Sequence, residues 1–190
     1  MGANAAVVAY VGIGANVARA ADATPDTMAH APLHTKSDST VGAIRITIER
    51  AIAHLAATKG IAVIARSGDY QTAPIGYTEQ PDFINACIAL RTYLSPFDLL
   101  DCLQDTENHF NRVRTFKDAP RTLDLDLLFY GLARIQSDRL IVPHPRLHLR
   151  AFVLGPLAQI APDLNVPGHG PIRALLAGVA DQRIALLPPR

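Results

Sequence analysis

A chain of 190 residues, 49% of them hydrophobic, is long enough to bury one core and too short for two domains of ordinary size. Eighteen Lys and Arg stand against seventeen Asp and Glu, a formal net charge of +1, which leaves no bulk electrostatic footprint for nucleic acid or an anionic membrane. Any anion site must therefore be built locally, and two cysteines, Cys87 and Cys102, without C-x-x-C or zinc-ligand spacing suit a reducing cytoplasm and no structural metal.

The first twenty residues are apolar and end in small side chains, but Arg19 is their first cation, so they lack the basic start of a secretory signal and read as a core strand. No stretch approaches the ~20 unbroken apolar residues of a membrane-spanning helix. AAVVAYVGIG is β-branched and predicts a buried strand stopped by a tight turn at Gly12 and Gly14. Residues 17–40 have no periodicity and predict a long mobile loop insertion. Ile44, Ile48, Ile52 and Leu55 then recur at helical spacing up to Gly60. IAVIARSGDY and FINACIALRT predict two strands joined by a loop carrying Pro74, Gly76 and Pro81. Ser95, Pro96 and Asp98 open a second helix as N-cap, first-turn proline and N3 carboxylate, with Leu99, Leu103 and Phe110 as its buried stripe. A basic loop leads to LDLDLLFY, a further strand by alternation. The order strand, helix, strand, strand, helix, strand is that of an α+β ferredoxin-like βαββαβ sandwich, a single domain over residues 1–190 with helices on one sheet face. From about Gly131 the chain predicts a loop-rich C-terminal extension.

The sharpest chemical feature is PRTLDLDLL, Pro120 to Leu128. Residues two apart in a strand share a face, so Asp124 and Asp126 project together while Leu123, Leu125 and Leu127 enter the core. Two adjacent carboxylates repel unless a cation sits between them, and magnesium, a hard ion, prefers such oxygens; an amphipathic strand with a wet acidic face is the ordinary alternative. Arg112, Arg114 and Arg121 precede the strand, and Arg139, His144, Arg146 and Arg150 follow it. That is the complement a polyphosphate needs, although a solvated basic surface has the same spacing. There is no G-x-x-x-x-G-K-[ST], and Val17 stands where G-x-G-x-x-G requires glycine, so phosphates would be held by side chains and metal. On FINACIALRT, Phe83, Asn85 and Cys87 share a face; Asn can read the edge of a planar heterocycle and Phe can stack on it, or both can simply line the core.

Together the strings AYVGIGAN, YQTAPIGYTEQPDFINACIAL, LSPFDLL, E-x4-R-x-R from Glu107 to Arg114, PRTLDLDLLFYG and LIVPHPRLHLRAFVLGPLAQIAPD resemble, in order and spacing, the hydroxymethyl-dihydropterin pyrophosphokinase family. The resemblance implies transfer of the β,γ-diphosphate of ATP to 6-hydroxymethyl-7,8-dihydropterin, in a cytoplasmic monomer with small molecules as its partners. It implies two magnesium ions on Asp124 and Asp126, with Arg112 and Arg121 as catalytic residues. ATP would be met by Glu107, Arg112, Arg114, Arg121, Arg139, His144 and Arg150. The pterin would be stacked between Phe83 and Phe152, its polar edge met by Asn85 and by backbone near Thr72 and Ile75. Departures from the family pattern are the long 17–40 segment, Ala15 for the usual serine, Asn111 for the common glycine before R-x-R, and a TFKDAP loop without an Arg-Trp pair. A ligand-binding ferredoxin-like module is the non-enzymatic alternative but does not explain the carboxylate pair, whereas a metal-dependent nucleotidyl or γ-phosphoryl transferase would use the same Asp and Arg set. The nucleotide product separates these readings, since diphosphate transfer releases AMP, γ-transfer releases ADP, and a binding module releases neither.

Overall fold

The structure, a computed structural model, describes residues 5–19, 33–112 and 119–189. The elements run β1 (Val7–Ala15), α1 (Leu33–Ala57), β2 (Ile61–Arg66), β3 (Tyr70–Thr72), β4 (Phe83–Thr92), α2 (Pro96–His109), β5 (Asp124–Tyr130), β6 (Ile135–Gln136), β7 (Ile141–Val142), α3 (Ala151–Ile160), β8 (Asn165–Val166), β9 (Gly170–Pro171), α4 (Ile172–Ala177) and β10 (Ile184–Leu186). Six strands form one antiparallel sheet in the order β10-β3-β4-β1-β5, with β2 paired to the other half of β4. This is the expected α+β arrangement. No helix among the described residues is long and apolar enough to cross a membrane.

Alternation sorts the side chains of β1 and β4 between two cores. Val11 and Ile13 of β1, Ile84 and Ile88 of β4, and Leu125 and Leu127 of β5 meet Ile44, Ile48 and Leu55 of α1 and Leu99 and Leu103 of α2. Helix α2 begins as its sequence requires: the Ser95 hydroxyl caps it by accepting from the Asp98 amide at 3.2 Å, and Pro96 occupies the first turn. At its other end Asn111 has φ 58°. That left-handed conformation is one that glycine adopts without strain, and Asn is among the side chains that best tolerate it.

Four expectations need correction. Gly12 and Gly14 do not end the first strand but lie within β1, in register with Cys87 and Asn85 of β4. Helix α1 begins at Leu33, so the last part of the expected 17–40 loop is helical; after Pro32 the sequence has no proline or glycine before Gly42, and nothing interrupts a helix. Residues 20–32 of that segment lie outside the described residues. IAVIARSGDY is divided at Ser67 and Gly68 into β2 and the start of β3, a strand too short to have a readable period. Finally, helices cover both sheet faces: Val153, Leu154 and Leu157 of α3 pack with Cys87, Leu128 and Phe129 in a second core. Central β4 is accordingly buried over nearly its whole length, so its alternation does not mark a wet side. A register shift between β1 and β5 at Tyr10/Val11 turns both Leu128 and Phe129 toward that second core.

The chain end is fastened to the sheet. β10 pairs with β3, placing Ile184 opposite Thr72, and the Leu187 amide donates to the Asp69 carbonyl at 2.8 Å. The buried Asp69 carboxylate accepts from Arg45 at 2.6 Å and Arg66 at 2.8 Å, and Arg45 also donates to the Pro188 carbonyl.

Candidate active site

Asp124 and Asp126 leave β5 on the face away from α1 and α2, because Leu123, Leu125 and Leu127 claim the first core. They open onto a cleft of about 720 Å³. Each Asp124 oxygen meets one guanidinium: Oδ1 accepts from Arg112 Nη2 at 2.7 Å, and Oδ2 accepts from Arg121 Nη1. Arg112 also bonds Glu107, a buried carboxylate at the end of α2 whose Oε1 accepts from the Leu125 amide at 2.7 Å. Glu107 therefore ties α2 to β5 and holds Arg112 against Asp124. Burial pushes the Glu107 carboxyl up, opposed by the Leu125 amide and Arg112.

Asp126 differs from Asp124. Among the described residues it has no hydrogen bond or ion pair, and burial first, then the neighbouring Asp124 charge, pushes its carboxyl up to about 6. An under-compensated carboxylate beside a second one is a donor set that fits a divalent cation.

The cationic wall comes from the segment after β5. Arg139 lines the cleft while bonded to Asp101 of α2, with its guanidinium 5.9 Å from the Phe97 ring centre. The His144 amide donates to the Leu128 carbonyl at 3.0 Å, which fixes this residue to β5. His144 Nδ1 accepts from the Arg146 amide at 3.3 Å, leaving Nε2 as the donor of a neutral ring. Burial and the nearby Arg150 and Arg146 charges hold that imidazole down to about 4, so it is uncharged at neutral pH. Arg150, whose own proton affinity is lowered by burial and by Arg146, stands 5.4 Å from the Phe152 ring centre.

The same cleft is lined by Thr72, Ile75, Phe83, Asn85 and Phe152. Asn85 is almost fully buried, and its Nδ2 donates to the Thr72 hydroxyl at 2.8 Å. Thus the site residues expected from sequence line this one cleft, with the exception of Arg114, which lies outside the described residues, as do four of the six residues of the TFKDAP stretch, Thr115–Asp118. Cys87, on the Asn85 face, is instead buried under α3.

Sequence reasoning missed Asn16. Its Nδ2 donates to Gln80 Oε1 at 2.9 Å and to the Pro81 carbonyl at 3.1 Å, while its Oδ1 accepts from the Arg121 amide at 2.7 Å. Asn16 so joins the loop before β4 to the arginine beside Asp124. A lone Asn after a strand ordinarily signals a turn, and its long-range partners have no sequence signature. Gln104 was missed as well; one turn before Glu107 on α2, it lines the cleft and could have been found from helical spacing.

The family model described as 7,8-dihydro-6-hydroxymethylpterin-pyrophosphokinase (HPPK) matches residues 10–162. The 2-amino-4-hydroxy-6-hydroxymethyldihydropteridine pyrophosphokinase of Haemophilus influenzae is 37% identical over 183 residues, 96% of this chain and 99% of that one. Its namesake from Methylorubrum extorquens is 45% identical over 131 residues, 69% of this chain and 83% of its own. In fold, the chain is similar to a crystal structure of an HPPK-DHPS in complex with substrates, with a TM-score of 0.64 at 13% identity over 93% of this chain; it spans 44% of that larger protein. Since the matched region runs from β1 through α3 and contains both strand carboxylates and both walls of the cleft, the chain belongs to the 7,8-dihydro-6-hydroxymethylpterin-pyrophosphokinase family.

Proposed function

We propose that this chain transfers the β,γ-diphosphate of ATP to the hydroxymethyl oxygen of 6-hydroxymethyl-7,8-dihydropterin, giving the pterin diphosphate and AMP for folate biosynthesis, with the two substrates bound at opposite parts of the cleft. The observation that carries this reading is that one cleft gathers Asp124 and Asp126 with a set of cations and with residues able to receive a flat heterocycle. Asp124 and Asp126 would hold magnesium, two ions by analogy with the family. Bound there, the metal would neutralise charge on the triphosphate and at the phosphorus under attack.

The chain's own groups align and neutralise; no nucleophilic side chain is required. Arg112 and Arg121 pair with Asp124, and they can turn to phosphate oxygens once that carboxylate takes a cation. Arg139 and Arg150 supply further charge, and neutral His144 supplies a hydrogen bond from Nε2. Arg114 belongs to the same ATP-binding group by family resemblance. Phe83 and Phe152 would sandwich the pterin while Asn85, with backbone at Thr72 and Ile75, meets its polar edge. The near-neutral charge supports small molecules as the partners, and two free cysteines support a cytoplasmic location; elution as a monomer is the expected outcome of size-exclusion chromatography. The direct test is the nucleotide product with magnesium, ATP and the pterin alcohol: AMP is expected in step with pterin diphosphate, and ADP would overturn the assignment.

A further inference from the structure

Gly14 sits at the junction of the two halves of the cleft. In register it faces Asn85 on one neighbouring strand and Asp124 on the other. Directly opposed residues in an antiparallel pair have Cβ atoms about 4.5–5.5 Å apart, so any side chain here would rise between those two groups. A Cβ built on Gly14 would lie 2.9 Å from Asn85 Oδ1, closer than real Cβ atoms approach, and would meet no other atom of the described residues within 4 Å. Among the described residues, the space above Gly14 is therefore open except for that one oxygen. The amide cannot rotate away freely, because its Nδ2 is engaged by the Thr72 hydroxyl at 2.8 Å. Glycine weakens a strand interior, and its presence there often marks close approach of a ligand to the backbone.

We propose that Gly14 is a specificity-determining positioning residue of the pterin subsite: its bare backbone leaves Asn85 Oδ1 aimed into the cleft as an acceptor for a ring N–H, and leaves a flat floor on which the heterocycle reaches toward Asp124. The inference deepens the assignment of Asn85 to the pterin and rests on it. A methyl group at this position displaces the Asn85 oxygen or breaks the Asn85–Thr72 bond, and either change misaligns the acceptor. Gly12, two residues earlier on the same face, provides the contrast, because its added Cβ would meet the Leu128 side chain at an ordinary 3.5 Å.

The test is calorimetric titration of 6-hydroxymethylpterin into protein saturated with magnesium and a non-hydrolysable ATP analogue, for the natural chain, Gly14→Ala, Gly12→Ala, Asn85→Ala and the Gly14→Ala/Asn85→Ala pair. Gly14→Ala is expected to weaken pterin binding at least tenfold, with affinity for the ATP analogue within twofold of the natural chain and an unlowered melting midpoint. Gly12→Ala should bind pterin within threefold of the natural chain. Because Gly14 acts through Asn85, the double variant should bind pterin as Asn85→Ala does, without a further loss. Unchanged pterin binding in Gly14→Ala, equal loss in Gly12→Ala, additive losses in the double variant, or a lowered melting midpoint with lost nucleotide binding would each overturn the proposal. Unchanged pterin binding in Asn85→Ala would instead remove the assignment of Asn85 itself, and the role of Gly14 with it.

Discussion

Removing the charge of Asp126 should make the protein more stable while making it inactive. The Asp126 carboxyl is raised from 3.8 to about 6 by burial and by Asp124. At about 1.4 kcal/mol per pH unit, the ionised form costs the metal-free fold up to about 3 kcal/mol. The sign follows from proton binding. Below pH 3.8 the group is protonated in both folded and unfolded chains and the cost is absent; as pH rises to about 6 the unfolded chain ionises more readily, and stability is lost. Asp126→Asn keeps the shape and removes the cost, so at pH 8 without divalent cations it should be more stable by about 1–3 kcal/mol, a rise of roughly 3–10 °C in melting midpoint for a chain of this size. The advantage should shrink toward pH 4. Adding magnesium and an ATP analogue should raise the midpoint of the natural chain much more than that of the variant, and AMP formation by the variant should fall by orders of magnitude. A variant less stable at pH 8 in chelator, or a difference that persists at pH 4, would refute the reasoning, since the cost would not then come from an ionised carboxylate.

Arg112→Ala should destabilise the fold by about 2–4 kcal/mol in chemical denaturation, because it leaves the buried Glu107 carboxylate without its guanidinium; adding Glu107→Gln should recover part of that loss. His144, held down to about 4 from an ordinary 6.5, binds a proton more weakly folded than unfolded, so its contribution to stability is present above pH 6.5 and is lost as pH falls toward 4. His144→Gln should therefore lose about 1–2 kcal/mol less than the natural chain between pH 7 and 4.5 in urea titrations. Arg139→Ala, which removes an exposed pair with Asp101 and a contact with the Phe97 ring, should weaken nucleotide binding several-fold in calorimetry while changing stability by less than about 1 kcal/mol.

Much of this site was legible because its chemistry is local in sequence. Asp124 and Asp126 share a face by strand geometry alone, and Ser95, Pro96 and Asp98 carry the start of α2 within four residues. The features that escaped depend on contacts between distant segments. Asn16 gains its meaning from Gln80, Pro81 and Arg121, more than sixty residues away. β3 and β10 are each three residues long and are strands because they pair with one another and with β4. The glycines of β1 read as a turn because a strand interior rarely favours them, and only the neighbouring strands reveal what their missing side chains leave room for. The second core under α3 could not be inferred from β4, since a strand buried on both faces loses the contrast that alternation relies on.

The fastening of the chain end gives the last residues leverage over a pocket that they do not line. Ile184 is registered against Thr72, and Thr72 in turn steadies the Asn85 amide. Trimming the protein at residue 162, where the family model stops matching, would strip the outer rail from this edge and let Thr72 sag. A bulky purification handle joined at Arg190 would hang a few residues beyond that rail. Inhibitor screens aimed at the proposed pterin subsite are better served by protein that keeps residues 163–189 with the tail unencumbered.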